Sequence, residues 1–501
     1  MLAWLDNQSS SKNNIMTTSL PTLVTFIGYL LAILSIGFIA YRATDTLSDY
    51  ILGGRQLGPA VTALSVGASD MSGWLLLGLP GAIYLSGASE VWIGVGLVIG
   101  AFCNWLIVAP RLRQFTANAN DSLTLPEFFE NRFNDKSHIL RFISALTILL
   151  FFTFYVSSGL VGGAILFEKV FGLDYTQALV VGALVIVTYT FLGGFLAVSW
   201  TDFFQGCLML IALIFLPIAA ISALGGLEQT TTAIAAINPD YDNLFKNFTW
   251  LGFISLMAWG LGYFGQPHIL SRFMAIRSTS DIPTSRNIAM VWMVVSLAGA
   301  LAVGLVGLAY FADQPLENPE TVFLQLASAV LNPWLAGLLI AAILSAIMST
   351  IDSQLLVCSS VIVEDFYKHI SKRDASEKEL VWLSRLSLAV IAIISTLIAT
   401  NPESSVLDLV SYAWAGFGAA FGPTVILALF WSKFNKFGAI AAIASGAITV
   451  VVWKQLSGGI FDLYEIVPGF IVAFVAGFIV SRLIDSNNTE PEQIFNQLQQ
   501  E

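Results

Sequence analysis

Asp70 and the hydroxyl-rich stretch around Ser349 are the residues of this chain whose types and spacing could do chemistry, and the chemistry is cation handling. Asp70 is the one charge in the apolar run from Ala60 to Leu85. An ionisable group at membrane depth is costly unless paired, hydrated or bound to a metal ion, so it marks a functional site by default. Its surroundings, Ser65-Val-Gly-Ala-Ser-Asp-Met-Ser-Gly73, are poor material for a regular buried helix, and Gly67 and Gly73 are expected to let the backbone unwind. Unwound backbone is tolerated at that depth only where it is buried in protein or lines a cavity. The second cluster is Leu344-Ser-Ala-Ile-Met-Ser-Thr-Ile-Asp-Ser353. On a helix Ser345, Ser349 and Asp352 share a face, with Thr350 and Ser353 at its edges. Hydroxyls and free carbonyls supply the oxygen ligands a hard cation needs, at less electrostatic cost than several carboxylates.

These residues require long apolar elements to hold them. The chain has 501 residues, 56% hydrophobic and 11% charged, against about 25% charged in soluble domains; it is a polytopic membrane protein. Apolar runs long enough to span about 30 Å fall at 21–41, 60–85, 91–109, 139–167, 175–194, 203–226, 248–271, 288–312, 332–363, 380–399, 405–431, 437–456 and 463–484. Thirteen spans put the termini on opposite sides. Cytoplasmic loops carry an excess of Lys and Arg. Alternate loops divide the 22 basic residues 18 to 4, which places the N-terminus outside and the C-terminus inside.

The seventh run carries Trp259-Gly-Leu-Gly-Tyr-Phe-Gly-Gln-Pro267, three glycines with a proline that removes a backbone donor. It lies five spans after the run broken at Asp70. A pair of interrupted helices at corresponding positions in two halves is the sequence signature of a transporter site. Spans two to six (about 60–226) and seven to eleven (about 248–431) therefore form two five-helix units of opposite orientation within one domain, 21–484. The helices at 21–41, 437–456 and 463–484 are peripheral, 1–20 is an outer segment, and 485–501 a cytoplasmic tail expected to be disordered. Gly260 to Gly265 fits G-x-G-x-x-G, but without a preceding strand it is no dinucleotide motif.

Other classes find less support, with a transporter-like sensor kept as the alternative. The net charge of −11 lies largely in outer loops and in the tail, and no basic patch suits nucleic acid. Cys103, Cys207 and Cys358 sit in apolar spans as thiols, not as a metal set. His138, His268 and His369 are scattered and no nucleophile–base pair is evident, so no catalytic residues are assigned. No cationic region precedes an apolar core in residues 1–15, so no cleavable signal is expected. Asn247-Phe-Thr249 matches a glycosylation pattern. A channel would not need paired broken helices, and a transporter-like sensor would need a signalling module. No obligate protein partner is evident beyond the lipid bilayer.

At these clusters the sequence resembles the sodium/solute symporter family, and within it the branch that carries proline. The matching stretches are Asp49 to Arg55, Ala68 to Trp74, Gly193 to Asp202, Trp259 to His268 and Val410 to Gly422. The resemblance implies the inverted-repeat, leucine-transporter-like fold and a place in the bacterial cytoplasmic membrane. It implies sodium held by the carbonyls of Ala68, Met71 and Ala346 with the hydroxyls of Ser349 and Thr350. Asp70 matches the carboxylate that sets sodium affinity; Arg55, Ser72, Gly73 and Asp202 match positions for coupling or gating. Substrate contacts carry over to Tyr155, Trp259, Tyr263, Gln266 and Pro267. Members coupled to two sodium ions place the second near Asp202, Asp352 and Ser353, a possible second cation site here. The implied cargo is L-proline with co-transported Na+; pantothenate, a sugar or sialic acid are the alternatives within the family. Family members commonly begin near Met16, which makes residues 1–15 either an extension or a misassigned start.

Overall fold

The computed structural model describes residues 19–41, 47–192, 194–246, 248–368, 375–401, 404–484 and 489–500. Asn247, His369 and residues 1–15 lie outside these. Among the described residues the secondary structure is helical, with a single isolated bridge between Leu57 and Ile276. The first half contains α1 (Leu20–Tyr41), α2 (Leu47–Leu52), α3 (Pro59–Asp70), α4 (Leu79–Ser86), α5 (Val91–Cys103), α6 (Ala109–Asn118) and α7 (Leu125–Phe133). It continues with α8 (Ile139–Phe171), α9 (Tyr175–Leu192), α10 (Phe195–Ala223) and α11 (Leu227–Ile237). The second half contains α12 (Trp250–Met257), α13 (Pro267–Ala275), α14 (Ile282–Tyr310), α15 (Val322–Val330) and α16 (Pro333–Ser360). It ends with α17 (Glu377–Ile398), α18 (Val406–Phe430), α19 (Lys436–Trp453), α20 (Ile466–Leu483) and α21 (Glu490–Gln500).

Nine helices among the described residues are long and apolar enough to cross a membrane, and a bent pair, α3 with Trp74–Ser86, makes a tenth. Leu20–Ile36, Tyr175–Thr188 and Trp250–Gly265 are shorter apolar helices. Each predicted run coincides with one of these elements. Local signals set their ends: Thr124 accepts from the Glu127 amide while Glu127 accepts from the amide of Leu123 just before it, a close variant of the capping box, and Asn332 caps α16 ahead of Pro333. The central helices are α16 and α18, whose apolar windows are 83% and 89% buried against 28% for α17 and α20. Serine, threonine and glycine stud these two, as a helix enclosed by protein on all sides permits.

Two boundaries differ from expectation for physical reasons. The apolar run 203–226 begins just after Asp202, yet α10 starts at Phe195 and carries Asp202 wholly buried; a buried arginine neutralises it. The tail after Ser486 is not featureless. Phe495 and Leu498 of α21 are buried against the body, Phe495 edge-on to Phe115, and Asn118 and Gln114 donate to the carbonyls of Leu498 and Gln499.

Candidate functional site

α3 ends at Asp70 and the chain re-enters helix through a π-helical turn at Trp74–Gly78, bent by 62° across the break. Helix ends leave carbonyls without intrahelical partners, and here side chains from other helices meet them. The Ser349 hydroxyl donates to the Ala68 carbonyl at 2.8 Å and Thr350 reaches the same oxygen at 3.4 Å. Ser349 Oγ also lies 3.2 Å from the Ala346 carbonyl. Four of the five residues expected to hold sodium thus converge; Met71 caps α3, its amide donating to the Gly67 carbonyl. Ser345, expected on the same face, bonds Tyr29 of α1 instead.

Asp70 turns away from this cluster. Its Oδ2 accepts from the Tyr263 hydroxyl, and its backbone carbonyl accepts from Trp74 Nε1 at 3.3 Å and the Tyr155 hydroxyl at 3.4 Å. Oδ1 has no partner among the described residues. The carboxylate therefore ties the first broken helix to the second. Ser72 Oγ accepts from the Trp74 amide inside the break. The two glycines do not serve as expected. Gly67 lies within α3 where a Cβ would stand 2.7 Å from the Trp292 ring, and Gly73 has an ordinary helical φ of −50°. Gly67 is there for close approach, and the break comes from Met71 and Ser72.

The second break is a long 3₁₀ stretch, Ala258–Gly265, followed by extended Gln266 and Pro267 at the start of α13. Its glycines face backbone or rings: Gly260 meets Gly96 and Gly100, Gly262 meets the Trp414 indole, and Gly265 meets Phe417. Trp414 Nε1 donates to the Trp259 carbonyl at 2.7 Å and Asn104 Nδ2 to the Tyr263 carbonyl at 2.9 Å. Gln266 donates to the Trp414 carbonyl at 3.2 Å. Trp259 packs against Trp74, Trp414 and Tyr464 with centroids at 6.2, 6.5 and 5.5 Å. Tyr155, Trp259, Tyr263, Gln266 and Pro267 are all buried. Asp70, Asn104 and Tyr263 share a cavity of about 20 Å³, room for water but not for a solute.

Asp202, Asp352 and Ser353 come together, but around a guanidinium. Arg272 of α13 donates from Nη2 to Asp202 Oδ2 at 3.1 Å and to Ser353 Oγ at 2.5 Å, and from Nε to Ser65 Oγ at 3.0 Å. The possible second cation site thus contains a cation of the protein's own. Arg272 falls one residue past the apolar run 248–271, where sequence alone groups it with the loops.

Arg55 closes the end of the two broken helices where α3 begins and α13 finishes. It bonds Asp121 at 2.6 Å, the Met274 carbonyl at 2.6 Å and the Ser122 carbonyl at 2.7 Å. Beside it the Leu57 amide donates to Ala275 at 3.3 Å and Arg277 to Leu57 at 3.1 Å, and Arg113 donates to the Ile276 carbonyl at 2.6 Å. Burial pushes the nearby Glu127 carboxyl above its ordinary range. Sequence reasoning missed Trp414, Asn104, Tyr464 and Arg272. Trp414 stood inside a matching stretch; the others gave no signal beyond a polar or aromatic residue near an apolar run.

Two helices broken five spans apart, one edged by hydroxyls and the other walled by aromatics, define a secondary transporter that works by alternating access. The chain belongs to the Sodium:solute symporter family, which matches residues 50–446. It is 54% identical over 475 residues to the sodium/proline symporter of Escherichia coli (strain K12), covering 94% of each chain. It is 52% identical over 469 residues to the high-affinity proline transporter PutP of Bacillus subtilis (strain 168), covering 93% of this chain and 99% of that one. Its fold is that of a solved Na+-coupled sialic acid symporter in a substrate-bound outward-open state, with a TM-score of 0.79 at 22% identity over 93% of this chain and 98% of the other. These relatives are symporters, not enzymes, and Na+ is a co-transported ion.

Proposed function

We propose that the protein takes up L-proline together with sodium across a bacterial cytoplasmic membrane, with its N-terminus outside, its C-terminus inside and thirteen spans between. The observation that carries the reading is the convergence of the Ser349 and Thr350 hydroxyls on the Ala68 carbonyl at the end of α3. A hydroxyl that donates to a carbonyl can rotate and offer its lone pairs, so the same oxygens together with the Met71 and Ala346 carbonyls can surround a small hard cation. The aromatic box of Tyr155, Trp259 and Tyr263, closed by Gln266 and Pro267, supplies apolar walls with polar tips, suited to a small ring-bearing zwitterion. The shared identity of 54% and 52% with proline carriers supports the same cargo.

Sodium bound between α3 and α16 orders the first break, and Asp70 passes that order to Tyr263 in the second. Two ligands that favour one ordered state raise each other's affinity. Met71 and Ser72 shape the first break and Gly73 leads into the helix beyond it, while Arg55, by holding Asp121, Ser122 and Met274, latches the inner end until both ligands are in place. Asp202 takes part through Arg272. With one sodium and a neutral solute, each cycle draws about 2.3 kcal/mol per 100 mV of membrane potential. The test is radiolabelled proline uptake into proteoliposomes under an imposed sodium gradient, with a proton gradient and other amino acids as controls. Sodium-dependent accumulation of proline alone is expected; uptake indifferent to sodium would overturn the reading.

A further inference from the structure

Arg272 is a full positive charge to which the cycle above gives no part beyond its pairing with Asp202. Its side chain is fully buried. Besides Asp202, Ser353 and Ser65 it donates from Nη1 to the His268 carbonyl at 2.9 Å, and Phe195 lies over it at 5.2 Å. Ser65 in turn donates to Asp202 Oδ2 at 2.7 Å, and Ser353 Oγ lies 3.5 Å from Asp352 Oδ1. Asp202 Oδ1 and Asp352 Oδ2 have no partner among the described residues. One carboxylate and two hydroxyls therefore bond one guanidinium, and a second carboxylate, Asp352, stands behind Ser353.

Position makes this more than an ion pair. Ser65 stands three residues before Ala68 on α3, and Ser353 four after Ser349 on α16, so on both helices the cluster lies one turn from the oxygens assigned to sodium. The same two helices thus carry two successive oxygen-rich layers. One faces the transported ion; the other already holds a cation that cannot leave, because a guanidinium neither detaches nor loses its proton.

We propose that Arg272 is a tethered cation that fills the second layer, keeps a second sodium ion out and so holds coupling to one ion. The inference rests on the sodium-coupled reading. Without the guanidinium, Asp202 and Asp352 would face one dry space with only an entering cation to relieve them, and their oxygens with those of Ser65 and Ser353 suit sodium.

The experiment uses the full-length protein and the substitution Arg272→Met. Purified protein is melted across a sodium chloride series, with choline chloride holding ionic strength, and sodium and proline uptake are counted together in proteoliposomes. In Arg272→Met the rise of melting temperature with sodium should steepen about twofold, since a second ion would bind the folded state, and the sodium taken up per proline should double. The double substitution Arg272→Met with Asp202→Asn should fall back to the parental slope. A parental slope in Arg272→Met, or a lower melting temperature that sodium does not restore, would overturn the proposal. If Arg272→Met does not accumulate, the double variant must; failure of both would make the guanidinium a structural brace and end the idea. If the parent chain moves no proline, the function proposed above fails, while a sodium slope gained by Arg272→Met still supports the tethered cation.

Discussion

The two broken helices solve one problem with different donors. Both offer backbone carbonyls to side chains of other helices. At the first break the Ala68 carbonyl is met by the hydroxyls of Ser349 and Thr350. At the second, the Trp259 and Tyr263 carbonyls are met by the indole of Trp414 and the amide of Asn104. A hydroxyl is donor and acceptor, so it can hold a carbonyl in one state and a cation in the next; an indole N–H only donates. Under the proposed sodium site, the first break exchanges its partner for an ion and the second stays fixed as a wall. Asp70, bonded to Tyr263, is the strap between them.

If that division is right, substitutions on the two sides should separate sodium dependence from solute affinity. The largest effect is expected for Ser349→Ala. Loss of a ligand to a charged group is worth about 1.5–3 kcal/mol, so the half-saturating sodium concentration for uptake should rise roughly 10- to 100-fold, while proline affinity at saturating sodium holds. Loss of both in equal measure at every sodium level would break the comparison. Next comes Asp70→Asn, which removes the negative charge but keeps an acceptor for Tyr263. Sodium activation should weaken by about tenfold if the charge sets the field of the site, and Tyr263→Phe should weaken it less. An unchanged sodium dependence would remove Asp70 from the coupling. Trp414→Phe keeps a ring and deletes the donor to the Trp259 carbonyl, a neutral bond worth about 0.5–1.5 kcal/mol. Proline affinity should fall roughly 2- to 10-fold in equilibrium binding with the sodium titration unmoved; a shift in the sodium titration as large as that of Ser349→Ala would mean the second break is not a fixed wall.

The breaks were legible in sequence because each violates the local rule for a membrane helix: a charge in an apolar run at Asp70, and glycines with a proline at Trp259 to Pro267. The hydroxyl cluster was legible through helical spacing. What spacing could not show is which way each residue turns once helices cross. Ser345, Ser349 and Ser353 fall nearly in line along α16, yet they meet Tyr29, Ala68 and Arg272, because three different elements pack along that line. Arg272 was invisible for a sharper reason. Positive charges near span ends are usually loop residues, and only the fold brings Asp202 to it from α10. The docked helix α21 rests on two apolar side chains, Phe495 and Leu498, too few to stand out in a polar tail.

The smallest effect sharpens the comparison from the side of the backbone. Glycines at the second break sit where a Cβ would meet the Gly96 backbone, the Trp414 indole or the Phe417 carbonyl, none of which can withdraw without moving a helix. Gly73 at the first break has a helical φ of −50°, and its nearest obstacle is a side-chain atom, Ile347 Cγ1 at 3.0 Å, rather than backbone or a fixed ring. Gly73→Ala should therefore fold normally, with a melting temperature within a few degrees of the parent, because a compatible Gly→Ala change gains about 0.4–1 kcal/mol from the unfolded chain against a modest local shift. A large loss of stability in a thermal melt would mean that the first break needs the freedom of glycine after all. Retained stability would place the origin of that break in Met71 and Ser72 and in the side chains that hold the Ala68 and Asp70 carbonyls, where a sodium ion can compete.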